Sequence, residues 1–405
     1  MTGIDADWLK DPRTVAVLDA LEAVGGPGCV RFVGGCVRNT LVGQAVDDLD
    51  LATTLKPEQV VQALRAAKLK AVPTGIAHGT VTAVSGGRPY EITTLRRDVS
   101  TDGRRATVAF TDDWAGDAGR RDFRLNALYA DRDGTIFDPT GQGVDDARAG
   151  RVVFVGDAAT RIREDCLRIL RFFRFYAWYG RGSPDREGLA ACATHADGMA
   201  RLSAERVSKE LLKLLAAPDP RPAVAAMADS GVLTVLEPEV RDRSRFEALV
   251  GRSDDPVLRL SALLPQDPEA VQQAATRLRL ANAQRDRLIA AASDRVAPGA
   301  EPQAIRAMLY RDGRQATQDR IALAAAEHPD ADLTALDQLA ETWPIPRLPV
   351  GGREVARAGI APGPDTGRVL SAFEAGWIAD DFPAHGHAER LAAAVADVTR
   401  PERTG

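Results

Sequence analysis

The stretch VGGCVRNTLVGQAVDDLDLAT, Val33–Thr53, decides the fold. The apolar, β-branched run before it (CVRFVGG, Cys29–Gly35) stops at paired glycines, as a buried strand does before a turn into a helix. Backbone N–H groups at such a junction can approach a phosphate, and Arg38 follows in the next turn to add charge. DLDLAT (Asp48–Thr53) then alternates, so Asp48 and Asp50 share one strand face and Leu49 and Leu51 the other. Two carboxylates on one face form a hard oxygen site suited to Mg²⁺. A third nearby carboxylate would complete a two-metal centre of the kind that stabilises both oxygens of an in-line displacement. Glu91, on the strand-like run PYEITTL (Pro89–Leu95), is the candidate, since alternation turns Asp47 to the opposite face.

Outward from this stretch, GTVTAV (Gly79–Val84) and ATVAF (Ala106–Phe110) read as further strands. ALYAD (Ala127–Asp131) and GTIFDP (Gly134–Pro139) read as a hairpin pair. The charged, glycine-containing middle of Thr93–Phe110 reads as a mobile loop. Beyond Gly150 the strand signals fade into helical patterns such as RIREDCLRILRFFRFYAWYG, followed by Ala-, Leu- and Arg-rich stretches punctuated by proline. The expected architecture is α+β: a small mixed sheet with helices over roughly the first 150 residues, then an all-α remainder.

Composition sets outer limits. The 405 residues are 45% hydrophobic and 27% charged, which is globular and long enough for two or three domains. No apolar run approaches a membrane span, and the acidic start MTGIDADWLKDP lacks the basic and then apolar character of a secretory signal. Four dispersed cysteines (Cys29, Cys36, Cys166, Cys192) suggest neither a zinc site nor a disulfide frame, so a cytoplasmic location is expected. A net charge of −5 argues on its face against a nucleic-acid partner. However, only six of the 52 basic residues are lysine. The rest are arginine, whose planar fork matches phosphates and base edges, although codon preference alone could produce the same bias.

Paired glycines, Val-Arg, a short helix and Asp-x-Asp, in that order and spacing, resemble the polymerase-β-like nucleotidyltransferase superfamily. Within it they resemble the class II tRNA nucleotidyltransferase and bacterial poly(A) polymerase family. RRDFRLNAL (Arg120–Leu128) resembles that family's second motif. Carried over, Arg121 would bind phosphate, Asp122 the ribose 2′-hydroxyl, and Asn126 would support the same pocket. Elementary chemistry agrees, since Arg-Asp pairs a donor fork with a hydroxyl acceptor. EDCLRILRFFRF (Glu164–Phe175) resembles the E-D-x-x-R motif used as an amino-acid template for the incoming base. Asp165 and Arg168, three apart on an expected helix, would share a face. The aspartate accepts from the exocyclic amine that cytosine and adenine carry and uracil and guanine lack at that position. SAERVSKELLKLL (Ser203–Leu215) resembles a later motif. Ser203 reads as its N-cap, and Arg206, Lys209 and Lys213 form a basic stripe suited either to RNA backbone or to solvent.

The resemblance implies a nucleotidyltransferase head over 1–150, a helical neck over 151–217, and an all-α body and tail over 218–405 that binds tRNA. It implies Mg²⁺-dependent addition or repair of the 3′-terminal CCA of tRNA from CTP and ATP. Gly34, Gly35, Arg38 and Arg121 would hold the triphosphate, and Asp48, Asp50 and Glu91 the catalytic centre. No membrane or protein partner is expected. The loop at Thr93–Phe110 favours adenosine addition. The family's usual V-R-D is V-R-N here, with Asn39 in place of the acid. The five histidines show no ligand spacing and no His-Asp dyad, so phosphohydrolase activity is not expected. Poly(A) polymerase, CC-only and A-only enzymes, and a catalytically inactive tRNA-binding protein remain as alternatives.

Overall fold

The computed structural model describes residues 3–102 and 105–399. They form two compact units, one ending at Val240 and the other beginning at Arg241. The expected boundaries at 150 and 217 both fall inside the first.

The first unit is built on a seven-stranded sheet. In chain order its strands are β1 (Val30–Val33), β2 (Asp50–Thr53), β3 (Lys70–Gly75), β4 (Thr80–Ser85) and β5 (Arg88–Thr94). A separate ribbon follows, of β6 (Arg96–Asp102) and β7 (Arg105–Phe110), and then the sheet's last strands, β8 (Tyr129–Ala130) and β9 (Ile136–Phe137). The sheet order is β3-β4-β5-β2-β1-β8-β9. Only β2 and β5 run parallel, with Asp50 opposite Glu91 and Leu51 opposite Ile92. β1 is antiparallel to both β2 and β8, which makes it the spine between the two halves. Its residues show why: Val30, Phe32 and Val33 are buried. The helix Pro12–Gly25 buries Val17, Leu18 and Leu21. It begins with proline in its first turn, behind Asp11, whose side chain accepts the Arg13 N–H.

Two expectations change here. The charged middle of Thr93–Phe110, expected as a mobile loop between two strands, is largely part of the antiparallel ribbon of β6 and β7, with residues 103–104 outside the described residues. β3, in KAVPTG, has no counterpart in the sequence reading, because its proline demotes a strand except at an edge, and an edge is where β3 lies.

The rest of the first unit is helical. Leu167–Tyr179 buries Phe172, Phe173 and Phe175, and Phe123 of the second motif packs among them, 5.2 Å from the Phe175 ring and 4.9 Å from Phe154. This aromatic core fastens the second motif to the helix that follows it. The described part of the second unit is all helix and loop. One cluster gathers Ile305, Leu309, Ile321 and Leu336, and another Val355, Phe373, Trp377 and Leu391. Gly313, at φ 83° and ψ 171°, breaks the long helix Pro302–Glu327 in two. Among the described residues no helix is long and apolar enough to cross a membrane.

Candidate active site

β1 ends at Val33, and the next residue, Gly34, sits at φ 71° and ψ −116° and gives its N–H to Leu128 O at 3.0 Å. A residue with a Cβ is strained in that conformation, so glycine is required for the turn into the helix Gly35–Leu41. A Cβ there would also lie 3.7 Å from Arg121 Nη1. The guanidinium of the second motif is therefore against the glycine turn of the first. Arg121 is fixed from behind: its Nε donates to Tyr129 Oη at 3.2 Å and its Nη2 to Asp117 Oδ2 at 3.2 Å. Asp117 is a supporting residue of this arrangement that sequence reasoning missed. Fully buried, it also accepts from Arg120 and from the Tyr129 hydroxyl at 2.7 Å. Burial opposes its ionisation, but Arg121 and Arg120 outweigh that and hold its carboxyl below the usual range. An aspartate four residues before Arg121 is the signal that could have found it.

The acidic side lies one strand over. Asp50 begins β2 directly opposite Glu91, and opposed residues in a parallel pair point to the same face. Burial, then Glu91 and Asp48, push the Asp50 carboxyl up to about 6, while Arg121 pulls the other way. The three carboxylates and Arg121 thus share one electrostatic neighbourhood. They are not the closed cluster expected: among the described residues no three His, Cys, Asp or Glu side chains gather closely enough to hold a metal ion. The reason is local, since β2 starts at Asp50 and leaves Asp48 exposed in the preceding loop, off the strand's alternation. Excess negative charge at Asp50 and hard oxygen donors on Asp48 and Asp50 still suit Mg²⁺. That ion is commonly held by one or two carboxylates, with water and substrate phosphates completing its shell.

The other expected nucleotide contacts lie behind this surface. Arg38 is buried, only 6% exposed. It donates to Asn39 Oδ1 at 2.8 Å, to Tyr179 Oη at 2.7 Å and to Asn126 Oδ1, with its guanidinium 4.0 Å from the Tyr179 ring centroid. Asn126 in turn donates to Asp122 Oδ1 at 3.1 Å. Asp122 Oδ2 accepts two bonds from Arg171, through Nε at 2.7 Å and through Nη2. Arg171 and Arg174 both face Glu210, with Arg174 Nε at 2.6 Å. A continuous buried network therefore runs from the glycine helix through the second motif to the helix Ala204–Leu215. Asp122 already accepts four protein donors within it, counting the Phe123 N–H.

The pair expected to read the base, Asp165 and Arg168, is arranged differently from expectation. Asp165 is not on a helix. At φ −155° and ψ 105° it occupies the break between Ala158–Glu164 and Leu167–Tyr179, and it does not share a helical face with Arg168. Its Oδ1 accepts the Leu167 N–H at 3.1 Å, the local side-chain bond by which aspartate starts a new helix instead of continuing the old one. Arg168 instead pairs with Glu164 at 2.5 Å and donates to Arg161 O and Arg120 O. Arg206 donates to Asp165 Oδ2 at 2.5 Å, whereas Lys209 and Lys213 are exposed. Ser203 occupies the N-cap of that helix without a capping bond from its side chain.

Residues 30–153 match the family model described as poly A polymerase head domain. Residues 183–243 match the one described as probable RNA and SrmB-binding site of polymerase A. The chain is 34% identical over 370 residues to the human protein named CCA tRNA nucleotidyltransferase 1, mitochondrial, covering 86% of this chain and 82% of that protein. It is 31% identical over 380 residues to a CCA-adding enzyme of Lactobacillus delbrueckii subsp. bulgaricus, covering 88% of this chain and 91% of the relative. Among solved structures, the Bacillus stearothermophilus CCA-adding enzyme in complex with CTP superposes with a TM-score of 0.76 at 27% identity, over 91% of this chain and 92% of that one.

Proposed function

This chain belongs to the class II CCA-adding enzyme and poly(A) polymerase head family, and we infer that it is a CCA tRNA nucleotidyltransferase. It adds C, C and A to the 3′ end of tRNA from CTP and ATP, and pyrophosphate leaves. The observation that carries this reading is the meeting of separate stretches of the chain in one neighbourhood: Gly34 and Asp50 of the first motif, Glu91 beside Asp50, and Arg121 of the second motif.

The triphosphate is assigned to the Gly34–Gly35 turn and Arg121. Gly34, at positive φ, has no side chain to block close approach, and Asp117 and Tyr129 keep the Arg121 fork aimed. Family members are typically metal-dependent. Asp48 and Asp50 are the residues that would hold Mg²⁺, which when bound supplies Lewis-acid charge at the α-phosphate and lowers the pKa of the attacking 3′-hydroxyl. Glu91 is assigned as the neighbouring carboxylate of the catalytic centre, whose negative charge raises the Asp50 carboxyl and favours a cation beside it. Arg38, Asn126 and Asp122 are assigned to the wall behind the nucleotide, which explains their burial. Asp165 and Arg168 are assigned to base selection, one accepting from the exocyclic amine and the other donating to ring nitrogen or carbonyl. Lys209 and Lys213, exposed on one helix, are assigned to RNA backbone. On this reading 1–150 is the catalytic head, 151–217 the neck, and 218–405 the tRNA-binding body and tail. Four free thiols fit the reducing cytoplasm.

Purified protein with Mg²⁺ and tRNA ending at the discriminator base tests the reading. CTP alone should give two additions, and CTP with ATP should stop at three. A long ladder with ATP alone would make it a poly(A) polymerase, and two additions that ATP cannot extend a CC-adding enzyme. In the same assay Asp165→Ala should relax discrimination against UTP, and an unchanged ratio would remove Asp165 from base reading.

A further inference from the structure

We propose that Arg206 is a specificity-positioning residue, whose guanidinium holds the Asp165 carboxylate at the angle from which it meets the incoming base. The inference rests on the reading of Asp165 as the base reader. Sequence spacing groups Arg206 with Lys209 and Lys213, but the fold separates them. The two lysines are exposed, while Arg206 turns toward the helix junction and donates to Asp165 Oδ2 at 2.5 Å, its side chain 31% exposed and that of Asp165 27%.

The placement matters because Asp165 has no helix to hold it. Its backbone is extended, in the break between two helices, so its carboxylate direction depends on its bonds. Two described bonds supply that: the Leu167 N–H on Oδ1 and Arg206 on Oδ2. Arg171 adds electrostatic attraction from the side, and it is itself tied to Asp122 and Glu210. Each carboxylate oxygen has more than one acceptor position, so both can still receive an amine N–H. Arg168 does not substitute for Arg206, because it is engaged by Glu164 and by backbone carbonyls.

Fixing an acceptor sharpens discrimination more than it strengthens binding. Cytosine offers an amine where uracil offers a carbonyl. Against a rigid carboxylate, the uracil carbonyl meets like partial charge with no donor between them. A carboxylate free to rotate turns aside and lets uracil in. Loss of Arg206 therefore acts on the ratio between nucleotides, whereas loss of an RNA backbone partner acts on tRNA affinity and leaves that ratio alone.

Full-length Arg206→Ala, Arg206→Lys, Asp165→Ala and the Arg206→Ala/Asp165→Ala double variant separate these cases. The readouts are kcat/KM for single addition of CTP and of UTP to tRNA lacking CCA, and the tRNA Kd. Arg206→Ala should lower the CTP-over-UTP ratio tenfold or more with the tRNA Kd within twofold. Arg206→Lys, which keeps the charge and one donor, should recover part of the ratio and serves if the alanine variant does not fold. In the Asp165→Ala background, removing Arg206 should change the ratio no further, as expected when two residues act through one interaction. Weaker tRNA binding with an unchanged ratio would overturn the proposal and return Arg206 to the RNA backbone. If Asp165→Ala itself leaves the ratio intact, the base-reader reading fails. If Asp165→Ala relaxes it and Arg206→Ala does not, only the present proposal falls.

Discussion

Asp50 shows how one residue's environment departs from its sequence reading. Burial first, and then Glu91 and Asp48, push its carboxyl up from an ordinary 3.8 to about 6. A raised carboxyl pKa means the native state binds a proton that the unfolded chain has already lost. The contribution to stability is full below about pH 4 and is lost as pH rises through 6. Asp50→Asn should therefore stabilise the metal-free protein at pH 8 by roughly 1–2 kcal/mol, allowing for partial exposure, while abolishing transfer. Thermal unfolding in chelator checks this: the variant should melt higher at pH 8 and level with wild type near pH 4. An equal midpoint at pH 8 would remove the electrostatic account of the site. Asn39, the departure from V-R-D, has a local explanation. Its Oδ1 accepts from Arg38 at 2.8 Å, and its Nδ2 donates to Ala45 O at 2.8 Å, tying the glycine helix to the segment that leads to Asp48. An aspartate could keep the first bond but has no donor for the second.

At the scale of elements, the junctions carry the energetics. Asp122 and Arg171 join the second motif to the helix Leu167–Tyr179. Burial opposes the Asp122 charge, and Arg171 and the Asn126 amide outweigh it, holding the carboxyl below its usual range. The pair's contribution is thus present above about pH 4 and is lost as pH falls through the folded pKa. Arg171→Ala leaves Asp122 buried without its partner, and urea unfolding should show a loss of about 3–5 kcal/mol. The uncharged pair Asp122→Asn with Arg171→Gln should lose less; an equal loss would mean packing, not charge, dominates. In the second unit, Gly313 occupies a φ, ψ region essentially reserved for glycine, so Gly313→Ala should cost about 1–3 kcal/mol in the same measurement. The strands are legible in the sequence because alternation and glycine ends are local. Spacing alone puts Asp165 on a helix, whereas its break comes from the side chain accepting the Leu167 N–H, a competition that spacing does not show.

Across the whole molecule, the arginine excess finds a structural use. Arg245 donates to Ser261 O, Ala262 O and Leu264 O at the end of the helix Pro256–Leu263. Arg314 does the same at Ala340 O, Glu341 O and Trp343 O, closing Thr334–Thr342, and Arg161 does so at Gly119 O. A planar fork reaches several orphan carbonyls at once and its charge suits the helix C-terminus, which a lysine point charge matches less well. Replacing Lys209 and Lys213 by alanine together should reduce the slope of log K for tRNA against log salt by about 0.7–0.9 for each phosphate no longer neutralised; an unchanged slope would make them a solvated face. The sequence by itself determined the α+β head, the all-α remainder, the family and the order of its motifs, because strand alternation, glycine turns and motif spacing are properties of short stretches of chain. Only the tertiary structure decided which guanidinium faces which partner. Arg121 against Gly34, Arg38 and Asp122 inside a buried network, and Arg206 on Asp165 are pairings between residues 41 to 141 positions apart or set by burial. No local pattern encodes whether a charged side chain finds water, a phosphate or another side chain.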